Sequence, residues 1–173
     1  ANPPKILGWD AAGVVEAVGE EATLFKVGDE VMFAGSTGRP GSYAEYTLVD
    51  ERITGRKPRN LSFEEAAALP LTGLTAWEGL VEGMHIPIPQ AGAEQRGKTI
   101  LVIGGAGGVG SFVIELASKV LKLTVIATAS RPESVEFCKK LGADHVIDHR
   151  KPLDQELKAV GYEGVDYIFN TVD

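Results

Sequence analysis

Apolar and polar positions divide the chain into two parts with different rhythms. In the first part the apolar runs are short and end in glycine. Residues 10–19 (DAAGVVEAVG) are rich in valine and alanine and predict a strand that closes on Gly19. Val27, Gly28 and Asp29 predict a turn launching a second strand over Glu30–Ala34. Residues 35–41 hold Gly35, Gly38, Pro40 and Gly41 and read as a loop. Residues 42–49 (SYAEYTLV) predict a third strand, with Tyr43, Glu45 and Thr47 on one face and Ala44, Tyr46 and Leu48 on the other. Three short strands joined by glycine turns point to a piece of an all-β barrel or sandwich.

The rhythm changes near Pro58. Ser62 followed by Glu65 is a capping-box signature for a short helix over residues 63–69. Pro70 interrupts it, and residues 72–82 predict a second helix carrying Leu74, Trp77, Leu80 and Val81. Pro87, Pro89, Gly92 and Gly97 make residues 82–97 a connector, in which Ile86 and Ile88 are expected to cover a surface groove rather than form a central strand. Residues 98–121 (KTILVIGGAGGVGSFVIELASKVL) follow. Thr99–Ile103 is a β-branched apolar run, the signature of a buried parallel strand, and apolar residues resume at helical spacing at Phe112, Val113, Leu116, Ala117 and Val120.

Beyond this stretch strands and helices alternate regularly. Residues 123–128 predict a strand, Pro132–Leu141 a helix capped by Gly142, His145–Ile147 a strand, residues 152–160 a short polar helix, and residues 165–171 a strand. Such alternation implies a parallel sheet with right-handed crossovers, here the first half of a doubly wound sheet. The fold expected overall is α/β.

Composition narrows the classes of function. A net charge of -7 with no local basic run argues against nucleic-acid binding. Cys138 is the single cysteine, which excludes an internal disulfide and fits a reducing, cytoplasmic setting. No apolar run approaches the roughly 20 residues of a membrane helix, so no membrane partner is expected. With an opening at Ala1 and a close at Asp173 directly after a strand pattern, the chain reads as a fragment.

Five glycines lie between Gly104 and Gly110. A strand, a glycine turn and a helix in that order form the phosphate cradle of a dinucleotide-binding domain, although glycine-rich turns also serve as plain connections. In the cradle reading Gly105 begins the tight turn, Gly107 or Gly108 lets the backbone approach a pyrophosphate, and Gly110 lets helix and strand pack closely. The helix start adds free N–H groups and a positive dipole end. An acid at the end of the next strand would grip the ribose 2′-hydroxyl of NAD. That place reads Thr128-Ala129-Ser130-Arg131, and a serine hydroxyl with a guanidinium suits a 2′-phosphate, so the cofactor expected is NADP(H).

Six ordered stretches, GWDAAGVVEAVG, VGDEVMF, GSYAEYTLV, LPLTGLTAWEGL, GGAGGVGS and KKLGADHVIDHR, resemble the quinone oxidoreductase branch of the medium-chain dehydrogenase/reductase superfamily, nearest to its zinc-type alcohol dehydrogenase-like proteins. The resemblance implies a partial GroES-like β-barrel over residues 1–66, then link helices and the first half of a Rossmann sheet over residues 67–173. It implies a cofactor site of Thr72 near the nicotinamide ribose, Gly105, Ala106, Gly107, Gly108, Val109 and Gly110 on the pyrophosphate, and Ser130, Arg131 and His149 around the adenosine phosphate.

The implied activity is hydride transfer from NADPH to a small electron acceptor, a quinone or an α,β-unsaturated carbonyl. The oxygen anion so formed can take a proton from solvent, so a Lewis-acid metal is less needed than for alcohols and ketones. Relatives are commonly homodimers. No zinc site is expected. Relatives with catalytic zinc place His-Glu where this chain has Trp9-Asp10, and one cysteine cannot build a four-cysteine lobe. His145 and His149, four residues apart with His145 on a strand, are separated by roughly 13 Å, too far to share one ion. Trp9 and Tyr46 are more readily core residues than cleft residues, Cys138 is expected to be buried packing, and no acid or base stands out. Two alternatives remain, a zinc-dependent alcohol dehydrogenase and a non-catalytic NADPH-binding protein.

Overall fold

The computed structural model describes residues 4–90 and 97–172. They form two units, Ala1–Thr72 and Gly73–Asp173, each with its own sheet. Residues 91–96 of the expected connector lie outside the described residues.

In the first unit, β1 (Asp10–Val14), β2 (Glu30–Ala34) and β3 (Thr54–Arg56) make an antiparallel sheet in that order, with Ala12 opposite Met32 and Met32 opposite Gly55. Alternation along β2 turns Val31 and Phe33 into the interior, both under 9% exposed. Lys57 is buried beside them and satisfied: its ammonium donates to Leu61 O at 2.6 Å and Pro58 O at 3.1 Å and pairs with Glu30 at 3.2 Å. Helix α1 (Phe63–Ala67) starts at the expected capping box, with Ser62 Oγ accepting from Glu65 N and Glu65 Oε2 accepting from Ser62 N.

Several expectations change in this unit: the strand expected over residues 10–19 ends at Val14, and Tyr46, expected in the core, is exposed. Residues 42–49 are not a strand. Backbone pairing covers only Gly41, Ser42 and Tyr43, which donate to Ile6 O, Gly8 O and Leu7 O. Tyr43 and Tyr46, from the two faces of the predicted strand, are both more than 70% exposed. Alternation specifies a strand only where one face is buried and a ladder runs along it, and neither holds here. Pro70, expected to interrupt a helix, instead opens one. Helix α2 (Pro70–Trp77) begins on it, as suits a residue whose missing N–H lies at an unpaired helix end. An adjacent orphan donor, Leu71 N, is taken by the Asp10 carboxylate at 2.8 Å.

In the second unit four parallel strands stand in the order β6-β5-β4-β7: His145–Ile147, Thr124–Thr128, Thr99–Ile103 and Tyr167–Asn170. Helix α2 continues into a wider π-turn over Glu78–Gly83. Helix α3 (Gly108–Glu115), itself extended by a π-turn over Leu116–Val120, joins β4 to β5. Helix α4 (Pro132–Leu141) joins β5 to β6, and α5 (Leu153–Ala159) joins β6 to β7. Gly142, with φ +120°, ends α4 as expected.

Both faces of this sheet are covered, which explains why its central strands read as unbroken apolar runs. Ile100, Val102, Val125 and Ala127 pack with Val113, Ile114 and Ala117 of the α3 region. Leu101, Ile126 and Ile147 face the other way, against Leu153 and Leu157 of α5. Ile86 joins the first of these cores at 1% exposure rather than covering a surface groove, while Ile88 stays exposed.

Asp166 clamps the starts of β4 and β7 together. Its carboxylate accepts from Lys98 Nζ at 2.7 Å and from Thr99 N and Oγ1 at 2.8 and 3.0 Å. These donors, Lys98 foremost, hold its pKa at about 2. The ionised form therefore stabilises the fold above the ordinary carboxyl value of 3.8, and that contribution is lost as pH falls toward 2. Urea titration of Asp166→Asn should show a lower midpoint than wild type at pH 7. The gap should close on acidification, and a gap independent of pH would refute the ionic clamp.

Candidate functional site

The order β6-β5-β4-β7 reverses direction between β4 and β7, and ligands of open α/β sheets bind at the carboxyl ends of the strands beside such a point. The glycine turn lies there. Gly104, at φ +81°, makes the tight turn that the sequence suggests for Gly105. A Cβ on Gly104 would lie 2.3 Å from Thr171 Oγ1, just beyond β7. Gly105 serves close packing: a Cβ there would come within 2.9 Å of Ala127 Cβ and 3.1 Å of Cys138 Sγ. Gly110 is pressed against the turn, where a Cβ would stand 2.2 Å from Gly104 O. Gly107 is the N-cap residue of α3.

The first ladder bond of α3 is Ser111 N to Gly107 O at 2.9 Å, so the N–H groups of Gly108, Val109 and Gly110 precede the ladder at the positive end of the helix. No side chain caps them, and glycine at positions 107 and 108 leaves the approach open. Ala106, between the packed and the open glycines, is half-buried. Thr128 braces the turn from β5: its Oγ1 accepts from Gly104 N at 3.0 Å and its carbonyl from Gly105 N at 3.2 Å. Thr171 braces it from β7, donating to Ile103 O at 2.8 Å. Neither threonine stands out in the sequence, where both look like ordinary strand residues.

The ends of β5 and β6 bring a second group together. Ala129 N donates to Ile147 O, so Ser130 and Arg131 leave β5 beside Asp148, His149 and Arg150 leaving β6. Arg131 is the N-cap residue of α4, and its guanidinium reaches Ser134 Oγ at 3.5 Å and Glu133 at 3.4 Å. Arg150, absent from the sequence-derived site, donates from Nη2 to Ser130 O at 3.5 Å and to Asp148 Oδ2 at 2.7 Å. Arg150 holds the Asp148 carboxyl well below the usual range. Only its spacing of one residue from His149 could have drawn attention to it.

Thr72 belongs to the first unit. It lies inside α2 rather than at its N-cap, and its hydroxyl donates to Ala68 O at 3.3 Å. Cys138 is fully buried and burial pushes its thiol up. His145 lies in β6 with its ring edge-on to Tyr162. Among the described residues no three His, Cys, Asp or Glu side chains come together as a metal site. Asp10, the carboxylate beside Trp9, is engaged as the cap of α2.

A glycine turn clamped between a parallel strand and a helix at a sheet's reversal point is the arrangement on which dinucleotide-binding α/β domains are built. Comparison with known proteins agrees. Residues 1–59 match the alcohol dehydrogenase GroES-like domain family and residues 108–173 the zinc-binding dehydrogenase family. Both families are parts of medium-chain dehydrogenase/reductase proteins, which the chain resembles in pairing part of a GroES-like domain with a Rossmann-like half.

A zinc-type alcohol dehydrogenase-like protein of Staphylococcus aureus is 48% identical over 97% of this chain and 49% of its own length. A 2-methylene-furan-3-one reductase of Solanum lycopersicum is 46% identical, and a chloroplastic NADPH-dependent alkenal/one oxidoreductase of Arabidopsis thaliana 39%, each over 98% of this chain and 42% of the relative. The chain thus spans about half the length of the curated relatives it matches. A crystal structure provisionally described as a zinc-dependent alcohol dehydrogenase of Rhizobium etli superposes with a TM-score of 0.89 at 52% identity, covering 100% of this chain and 51% of the other. That of Escherichia coli quinone oxidoreductase with NADPH gives 0.79 at 29% identity, over 97% and 50%. Among the described residues no helix is long and apolar enough to cross a membrane.

Gly110→Val should drive the turn off its helix, with a loss of stability of about 1–3 kcal/mol by urea denaturation, the usual range for overpacking. An unchanged midpoint would show that the contact between Gly110 and Gly104 has slack.

Proposed function

We propose that the protein at its full natural length transfers hydride from NADPH to an electron-poor acceptor, a quinone or an α,β-unsaturated carbonyl, with no catalytic metal. The observation that carries this reading is the pairing of an open glycine cradle with Ser130 and Arg131 at the end of β5, where an NAD-binding domain would place an acid. The names of the tomato and Arabidopsis relatives support a conjugated carbonyl, and that of the E. coli enzyme a quinone.

Residues 67–173 serve as the cofactor half and residues 1–66 as part of the acceptor half. The N–H groups of Gly108, Val109 and Gly110 take the pyrophosphate oxygens, with Gly105, Ala106 and Gly107 keeping the turn small and close to them. Ser130 and Arg131 take the 2′-phosphate, His149 lies against the same adenosine end, and Thr72 lies by the nicotinamide ribose. Bound NADPH supplies a hydride. The work of the chain is to hold an extended polyanionic ligand at its pyrophosphate and its 2′-phosphate so that its reactive end keeps one position. Charge developing on the acceptor oxygen is discharged by a proton from water, so this step asks less of a Lewis acid than the interconversion of alcohols and ketones does. A cytoplasmic homodimer is the assembly this reading takes.

NADPH oxidation should be seen with 1,4-benzoquinone or an alkenal and should survive chelation. Tight NADPH binding without turnover on any acceptor would identify a binding protein instead. Stoichiometric zinc, with activity lost on chelation, would identify a zinc alcohol dehydrogenase. Arg131→Ala should raise the Kd for NADPH about 10- to 100-fold, the span of one or two charge-assisted hydrogen bonds, and leave NADH binding unchanged.

A further inference from the structure

The two guanidiniums at the ends of β5 and β6 are held in opposite ways. Arg150 grips Asp148 from Nε and Nη2, at 3.0 and 2.7 Å to the nearer oxygens, and Asp148 Oδ1 also accepts from Arg150 N at 3.0 Å. That carboxylate is 18% exposed, so the pair is partly shielded and bidentate, and Arg150 is fixed. Arg131 has one ionic contact, Nε to Glu133 at 3.4 Å, with both side chains more than 70% exposed. A single-contact pair this open to solvent exchanges readily.

Glu133 also stands in the first turn of α4, where the helix dipole favours an anion of any kind. An incoming 2′-phosphate would seek the same guanidinium and the same helix end, with more charge and more acceptor oxygens, and would be repelled by a carboxylate already there.

Resting on the NADP(H) reading above, we propose that Glu133 is an internal competitor of the cofactor's 2′-phosphate. It occupies Arg131 in the cofactor-free protein and must release it when the phosphate enters. The exchange is local: Arg131 changes partner, while Arg150 stays with Asp148 and steadies the Ser130 carbonyl. Glu133 therefore lowers affinity for the phosphorylated cofactor only, and narrows the preference for NADPH over NADH.

The test is a set of binding titrations on the full-length protein with NADPH, NADH, 2′,5′-ADP and 5′-ADP. Glu133→Gln should tighten NADPH and 2′,5′-ADP about three- to tenfold, as expected for removing one repulsive charge and one competing partner from an exposed site. NADH and 5′-ADP should move less than twofold. The gain should shrink at high salt, because exposed charges are screened. In an Arg131→Ala background Glu133→Gln should have a smaller effect, since only the direct repulsion remains.

Unchanged or weaker NADPH binding in Glu133→Gln, an equal gain for NADH, or a full-sized gain without Arg131 would overturn the competitor while leaving NADPH as the cofactor. Wild-type protein that binds NADH as tightly as NADPH, and 5′-ADP as tightly as 2′,5′-ADP, would overturn the cofactor reading and the competitor with it.

Discussion

The contact between Gly110 and the Gly104 carbonyl is the constraint on which the rest of the second unit depends. With a hypothetical Cβ only 2.2 Å from that oxygen, helix and turn are as close as backbone allows. This closeness sets the first N–H groups of α3 over the end of β4 and aligns the helix along the sheet. From there Val113, Ile114 and Ala117 reach the alternate residues of β4 and β5. The turn is held from both sides by hydroxyls, Thr128 on β5 and Thr171 beyond β7, so the neighbouring strands share in fixing the cradle. In the role proposed for it, a phosphate site made of backbone, the turn has no rotamers to order on binding. Its rigidity is bought with glycine, and packing must supply what glycine lacks in intrinsic stiffness.

How legible these features are in the sequence follows from how each is stabilised. Strands β4, β5 and β6 are covered on both faces, so their composition alone marks them, and helix α4 carries its own stop signal in Gly142. Residues 42–49 carry an equally good alternation but lack both a buried face and a full-length partner among the described residues, and a strand cannot hold on pattern alone. Pro70 misleads because proline breaks a helix interior but suits its first turn, and only the Asp10 carboxylate, sixty-one residues before the Leu71 N–H it accepts, shows which applies. Ile86, between proline signals, is drawn into the core by its neighbours in space.

The candidate site divides in the same way. Its backbone donors are legible because a glycine spacing encodes them directly. The placement of Ser130 and Arg131 is legible because it depends only on where β5 ends. Thr128, Thr171 and Arg150 are not, since each acts on a residue twenty or more positions away. The distinction between a fixed guanidinium and an exchangeable one rests on exposure and bond number, which sequence does not carry.

The burial of Cys138 has a chemical consequence. Quinones and conjugated carbonyls, the acceptors proposed above, are soft electrophiles that alkylate thiolates. The sequence holds one sulfhydryl, packed beneath the glycine turn with no solvent-exposed surface and with burial disfavouring its thiolate form. Placed there, the sulfur fills space where a larger side chain would press on Gly105, and it offers a passing Michael acceptor nothing to add to.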